Sequence, residues 1–98
     1  MARSNIQIAN ELRDQARVLS RRRENLYRIR AYRRAAEVIW LLPRPVEELI
    51  ARGGRQALEA APGIGRHLAE SIAHYSVTGE WKTFEELRAP RRRARKSR

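Results

Sequence analysis

Apolar positions recur at helical spacing along most of this chain, and turn residues cut the pattern into short blocks. Over residues 4–22, Ile8, Ala9, Leu12, Ala16 and Leu19 share one helical face, with Ser4 or Asn5 placed to cap it. Arg13, Arg17, Glu11, Asp14 and Gln15 make the solvated side of that helix. A second helix is predicted over about 27–41, with Ile29, Tyr32, Ala35, Ala36, Val38 and Ile39 turned inward and Pro43 stopping it. Pro45 suits the first turn of a third helix, about 45–51, which ends at Gly53-Gly54. A short fourth helix is expected over 55–60. A fifth runs from Arg66 to about Ser76 on Leu68, Ala69, Ile72 and Tyr75, with Gly79 as its stop. Thr83 and Glu86 have capping-box spacing, so a last helix over 84–88 follows, with Phe84, Leu87 and Trp81 closing the core. Trp40 is also expected in the core. Strand-type alternation is missing throughout. The pattern predicts an all-α, compact bundle of four to six short helices over residues 4–88.

Between the fourth and fifth helices stands Ala61-Pro62-Gly63-Ile64-Gly65. Pro62 cannot continue a helix, and the two glycines accept positive φ and carry no Cβ. Ile64, an apolar residue inside a turn, is expected to plug between the helices and fix their crossing. The amides of Gly63 and Gly65 then lie bare at the start of a helix, where unpaired N–H groups and the helix dipole favour an anion. The stretch resembles a helix-hairpin-helix motif, the sequence-nonspecific DNA-binding element of many repair proteins.

Charge agrees with a polyanionic partner. Lys and Arg number 22 against 11 Asp and Glu, for a net charge of +11. Residues 88–98 hold seven of the basic residues and no acid, leaving 15 basic against 11 acidic residues, +4, in residues 1–87. Residues 89–98 are expected to form a disordered basic tail that meets polyanion. Inside the folded part the charge is also uneven. Residues 21–34 carry seven arginines and one acid, more than local carboxylates can pair. With no cysteine, disulfides and thiolate chemistry are excluded, and no apolar run approaches the roughly 20 residues of a membrane span. His67 and His74 lack a third ligand at a metal-binding spacing, and the pairs Glu47-Glu48 and Glu85-Glu86 suit helix starts.

The second helix makes the resemblance narrower. Asn25-Leu26-Tyr27-Arg28-Ile29-Arg30-Ala31-Tyr32-Arg33-Arg34-Ala35-Ala36, followed by the Pro-Gly-Ile-Gly hairpin, resembles the amino-terminal domain of family X DNA polymerases standing alone. Leu42-Pro43-Arg44-Pro45-Val46-Glu47-Glu48-Leu49 is closer to the bacterial members, and the likeness covers about residues 5–88. It implies binding at the 5′-phosphate side of gapped DNA. Tyr32 matches a family tyrosine near that phosphate, while Arg28 and His67 fall at phosphate-binding lysine positions. Glu59 replaces a further lysine of the vertebrate members. Many members are also lyases that form a Schiff base through a lysine, but here that position is Ser71, whose hydroxyl cannot form an imine. Lys82 is the one lysine of the folded part and reads as a surface residue. The resemblance also implies a sodium or potassium ion on the backbone carbonyls of Glu59, Ala61 and Ile64.

The reading is therefore a non-enzymatic, sequence-nonspecific DNA-binding module, for gapped, nicked or double-stranded DNA. Its site residues are Gly63, Ile64, Gly65, Arg66 and His67 of the hairpin with Arg28, Tyr32 and Arg33 of the second helix. No cofactor is required, and the sodium or potassium ion at the hairpin is implied by the resemblance alone. A monomer in the bacterial cytoplasm, at the nucleoid, is expected, with a repair protein as a further partner. Two other classes stay open: a lyase using Lys82 or the N-terminal amine, and a helical docking module.

Overall fold

A computed structural model of the chain describes residues 2–89. The basic tail expected over 89–98 lies, apart from Ala89, outside the described residues. Six helices follow one another: α1 (Asn5–Arg21), α2 (Leu26–Leu41), α3 (Val46–Gly53), α4 (Arg55–Glu59), α5 (Arg66–Thr78) and α6 (Phe84–Arg88). Among the described residues there is no strand.

α1 starts at a capping box. The Ser4 hydroxyl accepts from the Gln7 amide at 3.1 Å, and Gln7 Oε1 accepts from the Ser4 amide at 2.8 Å. It ends on Arg23, a non-glycine residue at φ 57°, with the Glu24 amide reaching Leu19 O and the Arg23 amide reaching Ser20 O, both at 3.0 Å. Those two bonds form a Schellman turn. α1 then packs along α2 through Ile8, Ala9, Leu12, Ala16 and Leu19 against Ile29, Tyr32, Ala35, Ala36 and Ile39. Ala35 and Ala36 are wholly buried, and their small side chains let the two helices approach closely.

α5 is the hub of the remainder, with α3, α4, α6 and α1 all packed on it. Asn5 ties the two halves: its Nδ2 donates to Arg44 O and its Oδ1 accepts from the Val46 amide, both at 2.9 Å. This supplies the cap that Pro45, at the N-cap of α3, lacks. Trp40 departs from the expected core position and is 47 % exposed. Ile39 points inward, so the next residue turns about 100° away to the flank, where the Arg13 guanidinium lies 5.2 Å from its ring centre. The core role falls to Trp81, whose ring meets Tyr32 and Tyr75 at 5.8 and 6.1 Å between centroids.

Candidate nucleic-acid interface

The hairpin joins α4 to α5 in one tight turn. The Ala61 amide donates to Leu58 O at 3.0 Å and the Ile64 amide to Ala61 O at 3.2 Å, while the Ile64 side chain is buried in the core cluster. The Ala69 amide closes the first turn of α5 on Gly65 O at 2.9 Å. Around these bonds the amides of Gly63, Gly65, Arg66 and His67 have no protein acceptor among the described residues. The first turn of α5 carries no acid. The helix thus opens on bare N–H groups of the kind that bind anions.

The two glycines do not share one role. Gly63 has φ 95°, and a Cβ there would lie 2.8 Å from Arg34 Cδ and 3.3 Å from Val38 Cγ2. It faces α2, so its missing side chain lets the hairpin seat against the protein. Gly65 has φ −86°, and a Cβ there would meet nothing within 4 Å. Its open side is where an outside group can approach.

Next to the hairpin a cleft of about 250 Å³ opens between three helices. Arg28, Ala31 and Tyr32 line it from α2, His67, Leu68 and Ser71 from α5, and Phe84 and Glu85 from α6. Ser71 is 1 % exposed, and neither its hydroxyl nor that of Tyr32 has a hydrogen-bond partner among the described residues. Arg28 lies 3.9 Å from Glu85. His67 stacks on Phe84 with centroids 3.8 Å apart and planes 7° from parallel, and Arg66 and Arg88 lie 5.8 and 5.1 Å from the Phe84 ring centre. α6 is held in place by Glu70, which accepts from Arg88 at 2.9 Å and pairs with Arg55 of α4 at 3.6 Å. A capping box starts α6: the Thr83 amide donates to Glu86 Oε1 at 2.8 Å and, outweighing desolvation, holds the Glu86 carboxyl below its ordinary value.

Of the residues singled out in the sequence, Arg28, Tyr32 and His67 meet in this cleft, and His67 joins it to Gly65 and Arg66 of the hairpin. Arg33 does not join them. It lines a groove between α1 and α2 with Arg13, Arg17 and Glu37, where Asp14 already pairs with Arg17. The residue α2 directs to the hairpin is Arg34, one position on, whose stem packs on Gly63. Sequence reading assigned Phe84 to the core and Glu85 to helix capping. Both line the cleft, a placement that depends on how α6 docks. Lys82 lies 3.8 Å from Glu80 and does not line the cleft. No group of three His, Cys, Asp or Glu side chains suited to a metal occurs among the described residues. The carbonyls of Glu59, Ala61 and Ile64 lie at the end of α4 and in the turn. They are hard oxygen donors of the kind an alkali cation takes, although Ala61 O also accepts the Ile64 amide.

The fold and this site define a compact, all-helical domain whose exposed feature is a glycine hairpin between two helices. The helix-hairpin-helix domain family profile matches residues 3–81, and the chain belongs to that family. Such domains are in general sequence-nonspecific DNA-binding elements. The matched span stops at Trp81, before α6. Comparison with curated proteins finds no significant match. Among the described residues no helix is long and apolar enough to cross a membrane.

Proposed function

We propose that this protein binds DNA through backbone phosphates, without reading sequence, and that it favours a 5′-phosphate at a gap or nick. One observation carries the reading: Arg28, Tyr32, Ser71 and His67 line one cleft that adjoins the bare amides of α5. Guanidinium, hydroxyl and amide donors together suit the several acceptor oxygens of a phosphate. The hairpin amides would hold a neighbouring phosphate of the same strand, with Arg66 beside them. The turn carbonyls of Glu59, Ala61 and Ile64 would hold a sodium or potassium ion, which would add positive charge beneath that phosphate. This is the binding half of what the amino-terminal domain of a family X DNA polymerase does, in the service of DNA repair. The lyase half is absent from the proposal, because Ser71 offers no amine to a sugar aldehyde.

The test is the affinity of the full chain for a gapped duplex with and without its 5′-phosphate, by fluorescence anisotropy at moderate salt. Tighter binding of the phosphorylated duplex is expected. Equal affinities would reduce the protein to a general backbone clamp, and no binding at moderate salt would end the DNA-binding reading. Borohydride trapping on an incised abasic duplex is expected to leave no covalent adduct.

A further inference from the structure

We infer that Glu85 is a built-in competitor for the phosphate cleft, holding the Arg28 guanidinium when no DNA is bound and lowering the affinity for a terminal phosphate. The inference rests on the reading of the cleft as a phosphate site.

The acids around α6 have distinct partners. Glu70 clamps Arg88 and Arg55, and Glu86 closes the capping box with Thr83. Glu85 makes neither kind of contact; among the described residues its one charged partner is Arg28, at 3.9 Å. It is also the one carboxylate lining a cleft whose other polar groups are donors or hydroxyls. A phosphate entering there must take Arg28 from Glu85 or sit beside an uncompensated negative charge.

The exchange needs no movement of α6. Phe84, the preceding residue, is stacked on His67, and Arg88 is fixed on Glu70, so the helix stays docked. The Glu85 and Arg28 side chains are 69 % and 38 % exposed and free to swing. At 3.9 Å the pair is loose, so a phosphate that offers shorter, charge-assisted bonds displaces the carboxylate at low cost. Glu85 lies outside the residues matched by the helix-hairpin-helix family, so this brake is carried by the segment that follows the shared fold.

The test is Glu85→Gln in the full chain, measured on the gapped duplex with and without its 5′-phosphate. Affinity for the phosphorylated duplex is expected to rise about two- to fivefold, the range for releasing an exposed ion pair. The preference over the unphosphorylated duplex should rise with it. In the Arg28→Met background the same substitution is expected to give a different gain, because the two charges are coupled: the competition for Arg28 is gone and only the repulsion between Glu85 and the phosphate remains to be relieved. Glu37→Gln makes the same charge change in the α1–α2 groove and is expected to leave the preference unmoved. An equal gain on both duplexes, an identical gain with and without Arg28→Met, or the same gain from Glu37→Gln would each overturn the inference. A wild-type preference that Glu85→Gln leaves unmoved overturns it while sparing the cleft reading. Absence of any preference in the wild type overturns both.

Discussion

Gly63 and Gly65 stand two residues apart and face different neighbours. Sequence reading gave both the same task, close approach of a phosphate, because the pattern Pro-Gly-Ile-Gly says that a turn is needed and not which side of it faces the protein. The difference comes from Arg34, a residue 29 positions earlier whose stem fills the space beside Gly63. Arg33 shows the same limit: a helical step of about 100° decides which of two adjacent arginines meets the hairpin, and composition cannot supply that angle. Two substitutions separate the roles. Gly63→Ala forces a side chain into the left-handed region and against Arg34, and should lower stability by about 1–2 kcal/mol. Gly65→Ser keeps an allowed backbone and adds an N-cap hydroxyl, so the melt should hold or rise by a few tenths of a kcal/mol. That hydroxyl nonetheless takes an amide from the incoming phosphate, so DNA affinity should drop several-fold. Thermal melts and anisotropy on the two variants check both halves; a Gly65→Ser chain that binds as well as the wild type would show that those amides hold no phosphate.

Helix boundaries were largely legible, because periodicity, Pro43, Pro45, Gly79 and the Thr83 box are local signals. What the sequence hid at this scale are the ties between elements. Asn5 reads as a candidate cap for its own helix, yet Ser4 does that work and Asn5 reaches across to Arg44 and Val46. Asn5→Ala leaves the Val46 amide without its acceptor and is expected to cost about 1–2 kcal/mol, measured by urea unfolding. A loss within error would mean that water replaces the side chain there. α6 has a weakness of its own, since its start depends on an ionised Glu86. The carboxyl is held below its ordinary value of 4.5, chiefly by the Thr83 backbone hydrogen bond, so the box stabilises the folded state at neutral pH. That contribution is lost as pH falls below the ordinary value and through the depressed one. Backbone amides of residues 83–88 should therefore shift and lose protection in acid before those of α1 and α2. Titration of Glu86 at an ordinary value by NMR would contradict this.

Taken whole, the proposed binding mode would hold phosphates in two ways: by uncharged amides at the start of α5, and by cationic side chains around it. That the protein is all-helical and basic was plain from its sequence, but the convergence of α2, α5 and α6 on one cleft was not, because Glu85 and Arg28 lie 57 positions apart and meet through tertiary packing alone. Salt dependence tells the two kinds of contact apart. A cation that neutralises a phosphate releases counterions, so each one adds about −0.9 to the slope of log affinity against log salt, whereas a neutral amide adds nothing. Gly65→Ser should therefore weaken binding at every salt concentration and leave the slope as it was. Arg66→Met should flatten the slope by about 1, and Arg28→Met should do so on the 5′-phosphorylated duplex only. Any contribution of the basic residues beyond Ala89 to the slope is common to every variant and drops out of these differences. A slope changed by Gly65→Ser, or unmoved by Arg66→Met, would mean that the hairpin touches DNA through something other than the amides and the arginine assigned to it.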